Sequence, residues 1–343
     1  MSQLADHLAQ LTEFRDRDAM DATLVSTIRD LLRPRAVAIY RLVGEPERRR
    51  WLTRARLVAG ETSVHADPLW TELDALPQVE DFPQRLTAMQ QNEPVVSVGE
   101  AVITVFPLVT DRVVVGVVEI ESVVRINPEH LHLVGSILRI YCNFQALLDY
   151  SERDTLTGLL NRKTYEDAFD KIRAATRPEL GVEAALEEKR SVDVLSLRHF
   201  IGVIDIDHFK RVNDAHGHLI GDEVLLQLSR QMRLNFRYSD RLYRFGGEEF
   251  VVLMRCRSDT DAAAAFERLR LSVQAHAFAR VGSVTVSVGF TEVRTGDTAG
   301  SAFERADKAV YRAKALGRNQ VCSLADMPAA GDGHGAGGEV ELF

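Results

Sequence analysis

The chain has 343 residues, of which 45% are hydrophobic and 27% are charged, and its formal net charge at pH 7 is −8. Because this length exceeds that of a usual single domain, we expect two domains, and the hydrophobic fraction is sufficient for two cores. The negative charge argues against a nucleic-acid-binding surface, the apolar stretches are too short to span a bilayer, and the scattered cysteines Cys142, Cys256 and Cys322 fit a reducing cytoplasm without disulfides.

Residues 1–150 have the pattern of a separate α+β domain. Apolar residues at helical spacing predict helices at its start: Leu4, Leu8, Leu11, Leu24, Ile28 and Leu31. Strands are predicted over Ala36–Val43 and Trp51–Val58, followed by an antiparallel pair that turns around Thr110–Arg112. This order resembles that of a GAF sensory domain, most closely over Phe106–Val109 and Val113–Ser122, and it implies an unidentified small-molecule or protein signal. A PAS-like domain and a purely structural dimerisation domain are the alternatives.

A long amphipathic helix is predicted after Pro128. Its inward-facing positions alternate at spacings of three and four residues: Leu131, Val134, Leu138, Tyr141, Gln145 and Leu148. Two interpretations are open. These positions form a heptad seam between two chains of a homodimer, with the polar Gln145 fixing the register. Alternatively, they are the buried stripe of a helix that packs on its own domain.

A buried strand is predicted to end at Asp205 and Asp207 and to continue into a polar loop. The loop holds three further polar residues: Lys210, Asn213 and Asp214. Unpaired acids at the end of a buried strand are costly for folding, so a plain structural role explains them poorly. The strand end is therefore a candidate cation site.

A hairpin is predicted where two strand-like segments meet at Gly246 and Gly247. It places Glu248 and Glu249 at or beside its tip, where acids contribute nothing to packing. Mg²⁺ prefers oxygen ligands and is often held by one or two carboxylates together with nucleotide phosphates. With Asp205 and Glu248 as those carboxylates, the two segments predict a nucleotide-polymerising site that uses Mg²⁺ or Mn²⁺.

Six motifs in a fixed order resemble those of the GGDEF diguanylate cyclases. In chain order, the motifs are DTLTGLLNR starting at Asp154, DIDHFKRVND at Asp205, HGHLIGD at His216, RFGGEEF at Arg244, SVTVSVGF at Ser283 and DKAVYRAKALGRN at Asp307. The resemblance covers residues 154–321. It implies a palm-like α/β (α+β) cyclase domain over residues 151–324, which condenses two GTP into cyclic di-GMP and two pyrophosphates as a homodimer. Glu248 stands where the family more often has Asp, and GGEEF is a common active variant.

The resemblance implies a catalytic and metal-binding role for five matched residues. Asp205 and Glu248 would bind the metals together with the carbonyl of Ile206. Glu249 would assist at the second metal. Lys210 would act on the triphosphate beside them.

The remaining matched residues would bind GTP. Asn213 and Asp222 would hydrogen-bond the guanine base, which offers both donors and acceptors. The triphosphate would be held by Lys210, Lys314, Arg318 and backbone groups around His208 and Phe209. Taken singly, these residues have plainer explanations, because Asp222 could cap a helix, Asn213 could form an Asx turn, and the basic pair could complement a helix end.

Arg237 and Asp240 form an RxxD pair just before the hairpin. Its spacing from Gly246 matches the family's inhibitory site for its own product, cyclic di-GMP. Arginine can fork onto phosphate or stack on guanine, and a carboxylate can accept from the guanine edge. An exposed loop salt bridge is the alternative.

A catalytically inactive receptor for GTP or cyclic di-GMP is the alternative function of the whole chain. Intact Asp205, Lys210 and Glu248 argue against it. Residues 173–198 are predicted to be a solvated insertion, and residues 325–343, rich in Gly and Ala, a disordered tail.

Overall fold

The computed structural model describes residues 16–44, 48–68, 71–110, 113–175 and 197–324. They form two compact units, Met1–Arg153 (unit 1) and Asp154–Phe343 (unit 2), each with its own sheet and core. The helix predicted around Leu4 to Leu11, most of the predicted insertion and the predicted tail lie outside the described residues.

The described part of unit 1 contains helices α1 (Arg17–Leu32), α2 (Pro83–Gln91) and α3 (Pro128–Glu152) and a short 3-10 helix (Leu73–Ala75). Its strands are β1 (Ala36–Val43), β2 (Arg50–Val58), β3 (Val95–Val98), β4 (Val102–Thr110) and β5 (Val113–Ser122). All pairings are antiparallel, in the order β2-β1-β5-β4-β3. The strands predicted in this part of the chain are confirmed.

Both faces of this sheet are covered, because side chains alternate along each strand. Phe106 and Leu108 of β4 point to a core shared with α1 and α3. Ile103 and Val105 point to a second core beneath α2. The sheet therefore has the two long helices on one face and α2 on the other.

Helix α3 packs on its own unit. Five of its predicted seam positions are buried: Val134, Leu138, Tyr141, Gln145 and Leu148. The Gln145 side chain accepts a hydrogen bond from Arg17 Nη1 at 2.6 Å, and the same guanidinium pairs with Asp149 and Glu152. Of the two interpretations of these positions, the structure supports the buried stripe of a helix that packs on its own domain, because α1 and the sheet already occupy that face. Among the described helices, α3 alone is long and apolar enough to cross a membrane by length and composition, and part of its apolar stretch is buried in the unit.

Unit 2 contains helices α4 (Arg162–Ala175), α5 (Phe209–His216), α6 (His218–Asn235), α7 (Asp259–Ala275) and α8 (Ala299–Ala315) in its described part. Its strands are β6 (Leu160–Asn161), β7 (Arg198–Ile206), β8 (Arg241–Gly246), β9 (Glu249–Cys256), β10 (Val286–Glu292) and β11 (Val321–Ser323). They form one mixed sheet in the order β11-β10-β7-β9-β8-β6. This α+β architecture agrees with the predicted fold class.

The central strands β7, β9 and β10 are buried on both faces. Helices α6 and α7 pack on one face, where the ring of Phe266 lies so close to Gly202 that a Cβ there would be 2.0 Å from it. Helix α8 packs on the other face through alanines, and a Cβ on Gly289 would lie 2.2 Å from the backbone oxygen of Ala306. This close approach fixes α8 over the strands whose ends carry the acidic residues.

Candidate functional site

The acidic residues predicted from separate segments lie side by side. Asp205 pairs directly with Glu249 of β9 and with Ser287 of β10. Directly paired residues of antiparallel strands share a face, with Cβ atoms about 4.5–5.5 Å apart. Asp205 and Glu249 are therefore neighbours on the face that α8 covers, and Glu248 precedes Glu249 in the turn.

The turn itself is held by its flanking residues. Gly247 and Glu248 connect β8 to β9, and Gly247 has a φ of 43°, in the left-handed region that suits glycine. Arg244 donates to the carbonyl oxygen of Gly247 at 2.9 Å and to the carboxylate of Asp154 at 3.1 Å. Phe245 stacks on Phe303 of α8, with ring centroids 4.9 Å apart. Glu248 is thus presented from a fixed hairpin tip, as predicted.

A single lysine lies among these acids. The Nζ of Lys314, near the end of α8, is 2.7 Å from Oδ1 of Asp205. Burial raises the pKa of Asp205 although Lys314 acts in the opposite direction. Burial, and then the charge of Asp205, raises the pKa of both Glu248 and Glu249. The cluster therefore has an excess of negative charge that a further cation would relieve.

The donor set fits a divalent metal of the hard type. Among the described residues, no three His, Cys, Asp or Glu side chains are grouped as a ready-made metal cage. Mg²⁺ does not need one, since it is commonly held by one or two carboxylates, waters and substrate phosphates. Asp205, Glu248, Glu249 and the carbonyl oxygen of Ile206 supply only oxygen atoms, which suits Mg²⁺ or Mn²⁺.

The two residues predicted to bind guanine come from adjacent helices. Asn213 lies in α5 and Asp222 in α6, with Gly217 between the helices. Gly221 allows close contact, because a Cβ there would lie 2.0 Å from Oδ1 of Asn213. The predicted polar loop is in fact helix α5. The plainer alternatives for these two residues fail, since Asn213 is inside a helix and Asp222 lies one turn beyond the start of α6.

Backbone and basic groups approach the same strand end. His208 has a φ of 59° and precedes α5, whose first turn has no side-chain cap. The first N–H groups of α5, which no side chain caps, are suited to an anion such as a phosphate. Phe209 can offer only its backbone there, because its ring is buried in the core of unit 2. The side chain of Lys210 is exposed.

Asp207 has a structural role that the sequence did not reveal. Its buried carboxylate accepts hydrogen bonds from the hydroxyls of Thr285 and Ser287, both at 2.7 Å, and from the backbone N–H of Asn319 at 3.0 Å. Asn319 follows Arg318, and both have positive φ. Asp207 therefore anchors the turn that carries Arg318. Only its position two residues after Asp205, on the same side of the strand, could have drawn attention to it.

The RxxD pair forms a closed turn away from the acidic cluster. The Asp240 carboxylate accepts from the backbone N–H of Arg237 at 2.8 Å, and the Asp240 N–H donates to the Arg237 carbonyl at 3.0 Å. Burial, with a contribution from Asp240, raises the pKa of the nearby Cys256 to about 11. Arg268 of α7 donates to the carbonyl of Asn235, two residues before the turn. Sequence reasoning did not place Arg268 there, because it is distant along the chain.

Comparisons with known proteins match the second half of the chain. A family model described as "Diguanylate cyclase, GGDEF domain" matches residues 151–320. The chain is 40% identical to diguanylate cyclase DgcP of Pseudomonas aeruginosa over 49% of its own length and 23% of that protein. It is 37% identical to the response regulator PleD of Caulobacter vibrioides, over 53% of its own length and 38% of that protein. It thus spans well under half of either relative.

One of the similar solved structures is the GGDEF domain of DgcB from Caulobacter crescentus in complex with c-di-GMP. The sequence identity is 31% and the TM-score 0.43, and the match covers 51% of this chain and 97% of that one.

Proposed function

Since residues 151–320 belong to the GGDEF diguanylate cyclase family, we propose that this chain condenses two GTP into cyclic di-GMP and two pyrophosphates. The observation that carries the proposal is the set of carboxylates at the ends of β7 and β9, with Lys314 placed among them at 2.7 Å from Asp205. These groups stand on fixed strands and on a fixed turn. The carboxylates suit the metal ions of a nucleoside triphosphate, and the lysine suits its phosphates.

The metals would be held by Asp205, Glu248, Glu249 and the carbonyl of Ile206. When bound, Mg²⁺ or Mn²⁺ would stabilise the charge that develops on the phosphates during transfer. In the reaction, a 3′-oxygen forms a bond to an α-phosphorus, the bond from that phosphorus to pyrophosphate breaks, and the hydroxyl proton is released. The second, symmetric transfer closes the ring.

The other side chains orient GTP. Lys314 and Lys210, with Arg318 on its anchored turn, would pair with triphosphate oxygens. Asn213 and Asp222, brought together by Gly221, would accept from and donate to the guanine edge. The N–H groups at the start of α5 would add hydrogen bonds to phosphate. Such positioning lowers the barrier because reacting atoms are held in line.

One chain offers one such site, whereas the product contains two nucleotides. We therefore place the activity in a homodimer in the cytoplasm, where two GTP-loaded sites face each other. In this arrangement, anything that changes the pairing of the two chains changes the rate.

Product inhibition is part of the proposal. Arg237 and Asp240 on their closed turn would bind cyclic di-GMP. Arg268, which lies beside that turn, supplies a second guanidinium for a phosphate or a guanine face. Binding there would slow the enzyme without blocking the catalytic residues themselves.

Regulation is assigned to unit 1. Its five-stranded antiparallel sheet between helices supports a GAF-like sensory domain over residues 1–150, with a PAS-like domain as the alternative. The cyclase domain then spans residues 151–324. The signal would reach it through α3, which leads directly to Asp154.

The decisive test is turnover by the purified chain. With GTP and Mg²⁺ it should release pyrophosphate and form cyclic di-GMP, and Glu248→Gln should reduce the rate by at least about a hundredfold while leaving the fold intact. Glu304→Gln, an exposed change on α8, is the matched control. If the wild-type chain bound GTP tightly without any turnover, the inactive-receptor alternative would replace this proposal.

A further inference from the structure

Arg85 is a buried cation in unit 1 that has no part in the proposed chemistry. It lies on α2, its residue is 3% exposed, and it forks onto Glu119 of β5. Its Nε lies 2.7 Å from Oε2 and its Nη2 lies 3.0 Å from Oε1. This bidentate pair uses two of the three guanidinium nitrogens and fixes the plane of the group.

Aromatic rings surround the guanidinium. Its central carbon is 3.4 Å from the ring centroid of Tyr40, 3.8 Å from that of Phe82 and 5.7 Å from that of Trp51. Arginine favours such faces because the ring quadrupole attracts its charge. Since Arg85 is almost fully buried, the remaining nitrogen must find its partner inside the unit.

Two donors in this enclosure have no acceptor. Nη1 of Arg85 and the indole Nε1 of Trp51 are both buried, and no atom of the described residues accepts a hydrogen bond from either. A buried donor left unsatisfied costs about 1–3 kcal/mol, and more when it is charged. Native proteins keep such groups only where a water, an ion or a ligand supplies the acceptor.

The local charge favours an anion as that acceptor. Arg85 and Glu119 neutralise each other. Arg56 is also close, because its charge, like that of Arg85, acts to lower the pKa of Tyr40 against the raising effect of burial. The second guanidinium, on an exposed side chain, thus adds positive charge beside the Arg85–Glu119 pair.

We propose that the face of the sheet beneath α2 binds a small carboxylate, whose oxygens accept hydrogen bonds from Arg85 Nη1 and Trp51 Nε1. The ligand joins β2 to α2 and is the signal that unit 1 reads. The role of the ligand as a signal rests on the proposed regulatory function of unit 1, whereas its binding can be measured without turnover.

Trp51 itself reports on the site. The chain contains two tryptophans, so Trp70→Phe leaves Trp51 as the only indole. In that full-length variant, benzoate should change the emission of Trp51 saturably. At ten times its Kd it should also raise the Tm of unit 1 by about 4 °C. Benzamide, which has the same shape without the charge, should bind at least about tenfold more weakly.

Two further variants locate the site. Arg85→Lys keeps a cation for Glu119 but lacks the third nitrogen, and it should weaken benzoate binding about tenfold or more. Trp51→Phe keeps an aromatic ring but lacks the N–H, and because this variant has lost the indole fluorophore, its binding is measured by the Tm shift. Trp51→Phe also tests the site if Arg85→Lys fails to fold. Arg35→Lys, an exposed change in the same unit, is the control.

Any of three results would overturn the inference. The first is that neither benzoate nor acetate produces a saturable response in the Trp70→Phe chain, which would mean that an internal water satisfies both donors. The second is that benzamide binds as tightly as benzoate, and the third is that benzoate binds Arg85→Lys and Trp51→Phe as tightly as the wild-type chain. None of these results bears on GTP turnover, so they leave the cyclase proposal standing or falling on its own test.

Discussion

The carboxylate of Asp207 accepts the backbone N–H of Asn319 at 3.0 Å, although the two residues are 112 positions apart in the chain. Asp207 directly follows β7, the strand that carries the proposed metal ligand Asp205, and Asn319 closes the turn after α8. The same carboxylate holds Thr285 and Ser287 before and within β10. One buried side chain thus fixes the distance between the proposed metal ligands and the proposed phosphate ligands Lys314 and Arg318.

Replacing Asp207 by asparagine should weaken GTP binding more than it weakens the fold. The amide keeps the size but loses charge-assisted acceptance, and such hydrogen bonds are worth about 1.5–3 kcal/mol. We expect the KM for GTP to rise about tenfold, a smaller fall in kcat, and a Tm lower by a few degrees. Steady-state kinetics and thermal unfolding measure these quantities, with the exposed Asp167→Asn as the control. A lower Tm with an unchanged KM would make Asp207 a purely structural residue.

Gly221→Ala separates stability from substrate binding. The new Cβ would lie 2.0 Å from Oδ1 of Asn213, so the Asn213 side chain must leave its present position. Alanine in place of glycine within a helix normally stabilises by about 1 kcal/mol. We therefore expect a Tm that is unchanged or higher together with a severalfold higher KM for GTP.

The control for this experiment is Gly135→Ala in α3, where an added Cβ would meet no atom within 4 Å. It should leave the KM unchanged. An unaltered KM in a folded Gly221→Ala chain would show that Asn213 does not read the guanine base.

Product inhibition should depend on both arginines near the RxxD turn. Arg237→Ala should abolish inhibition by cyclic di-GMP, and Arg268→Ala should weaken it severalfold, because each removes a guanidinium that can pair with phosphate. Neither change should lower the initial rate without product. Initial rates with added cyclic di-GMP, and calorimetry of its binding, provide the readouts, and the exposed Arg230→Ala is the control. Equally tight binding to wild type and Arg237→Ala would contradict the assignment.

Unit 2 should lose stability in mild acid through His199. Burial, together with the charge of Arg255, lowers the pKa of His199 to about 4, whereas an unfolded histidine titrates near 6.5. The unfolded state therefore binds the proton first. This contribution to stability is complete above pH 6.5 and is lost progressively as the pH falls towards 4.

His199→Gln should reduce the change in the free energy of unfolding between pH 7 and pH 5 by about 1–2 kcal/mol. The full effect of the pKa shift is not expected, because the site is partly solvated. The free energy of unfolding from urea titrations measures it, and His216→Gln, at an exposed position, is the control. An identical slope in wild type and His199→Gln would contradict the assignment.

The sequence predicted the elements whose signal is local. A continuous apolar run identified β7, and two glycines identified the turn before Glu249. Prediction from the sequence failed where a contact with a distant residue determines the local structure. Helix α5 is short and polar, so the sequence predicts a loop there, whereas contact with α6 supports the helix. The spacing of Leu138 and Gln145 identified a buried stripe but could not say which surface buries it. The partners of Asp207 and Arg85 lie far along the chain, and no periodic pattern indicates them.

Dimer assembly should depend on the exposed side of α3, and not on the buried side that carries the heptad positions. Leu138 is 4% exposed and lies in the core of unit 1, whereas Leu147 is 64% exposed on the same helix. Leu138→Asp should therefore unfold unit 1, because it buries an unpaired charge. Leu147→Asp should leave its stability within about 0.5 kcal/mol, as surface changes usually do.

If α3 pairs two chains, it must use the exposed apolar residues, which include Ile140, Leu147 and Tyr150. Leu147→Asp should then weaken the homodimer and lower the rate per subunit at dilute enzyme, with recovery as concentration rises, because the encounter of two GTP-loaded chains becomes limiting. Light scattering and initial rates over one dilution series test both effects, and Asp149→Asn on the same helix would be a poor control because it breaks the contact with Arg17. Arg139→Gln, which is exposed, is the better one. A full-strength dimer with wild-type turnover in Leu147→Asp would show that the two catalytic sites are brought together by another surface.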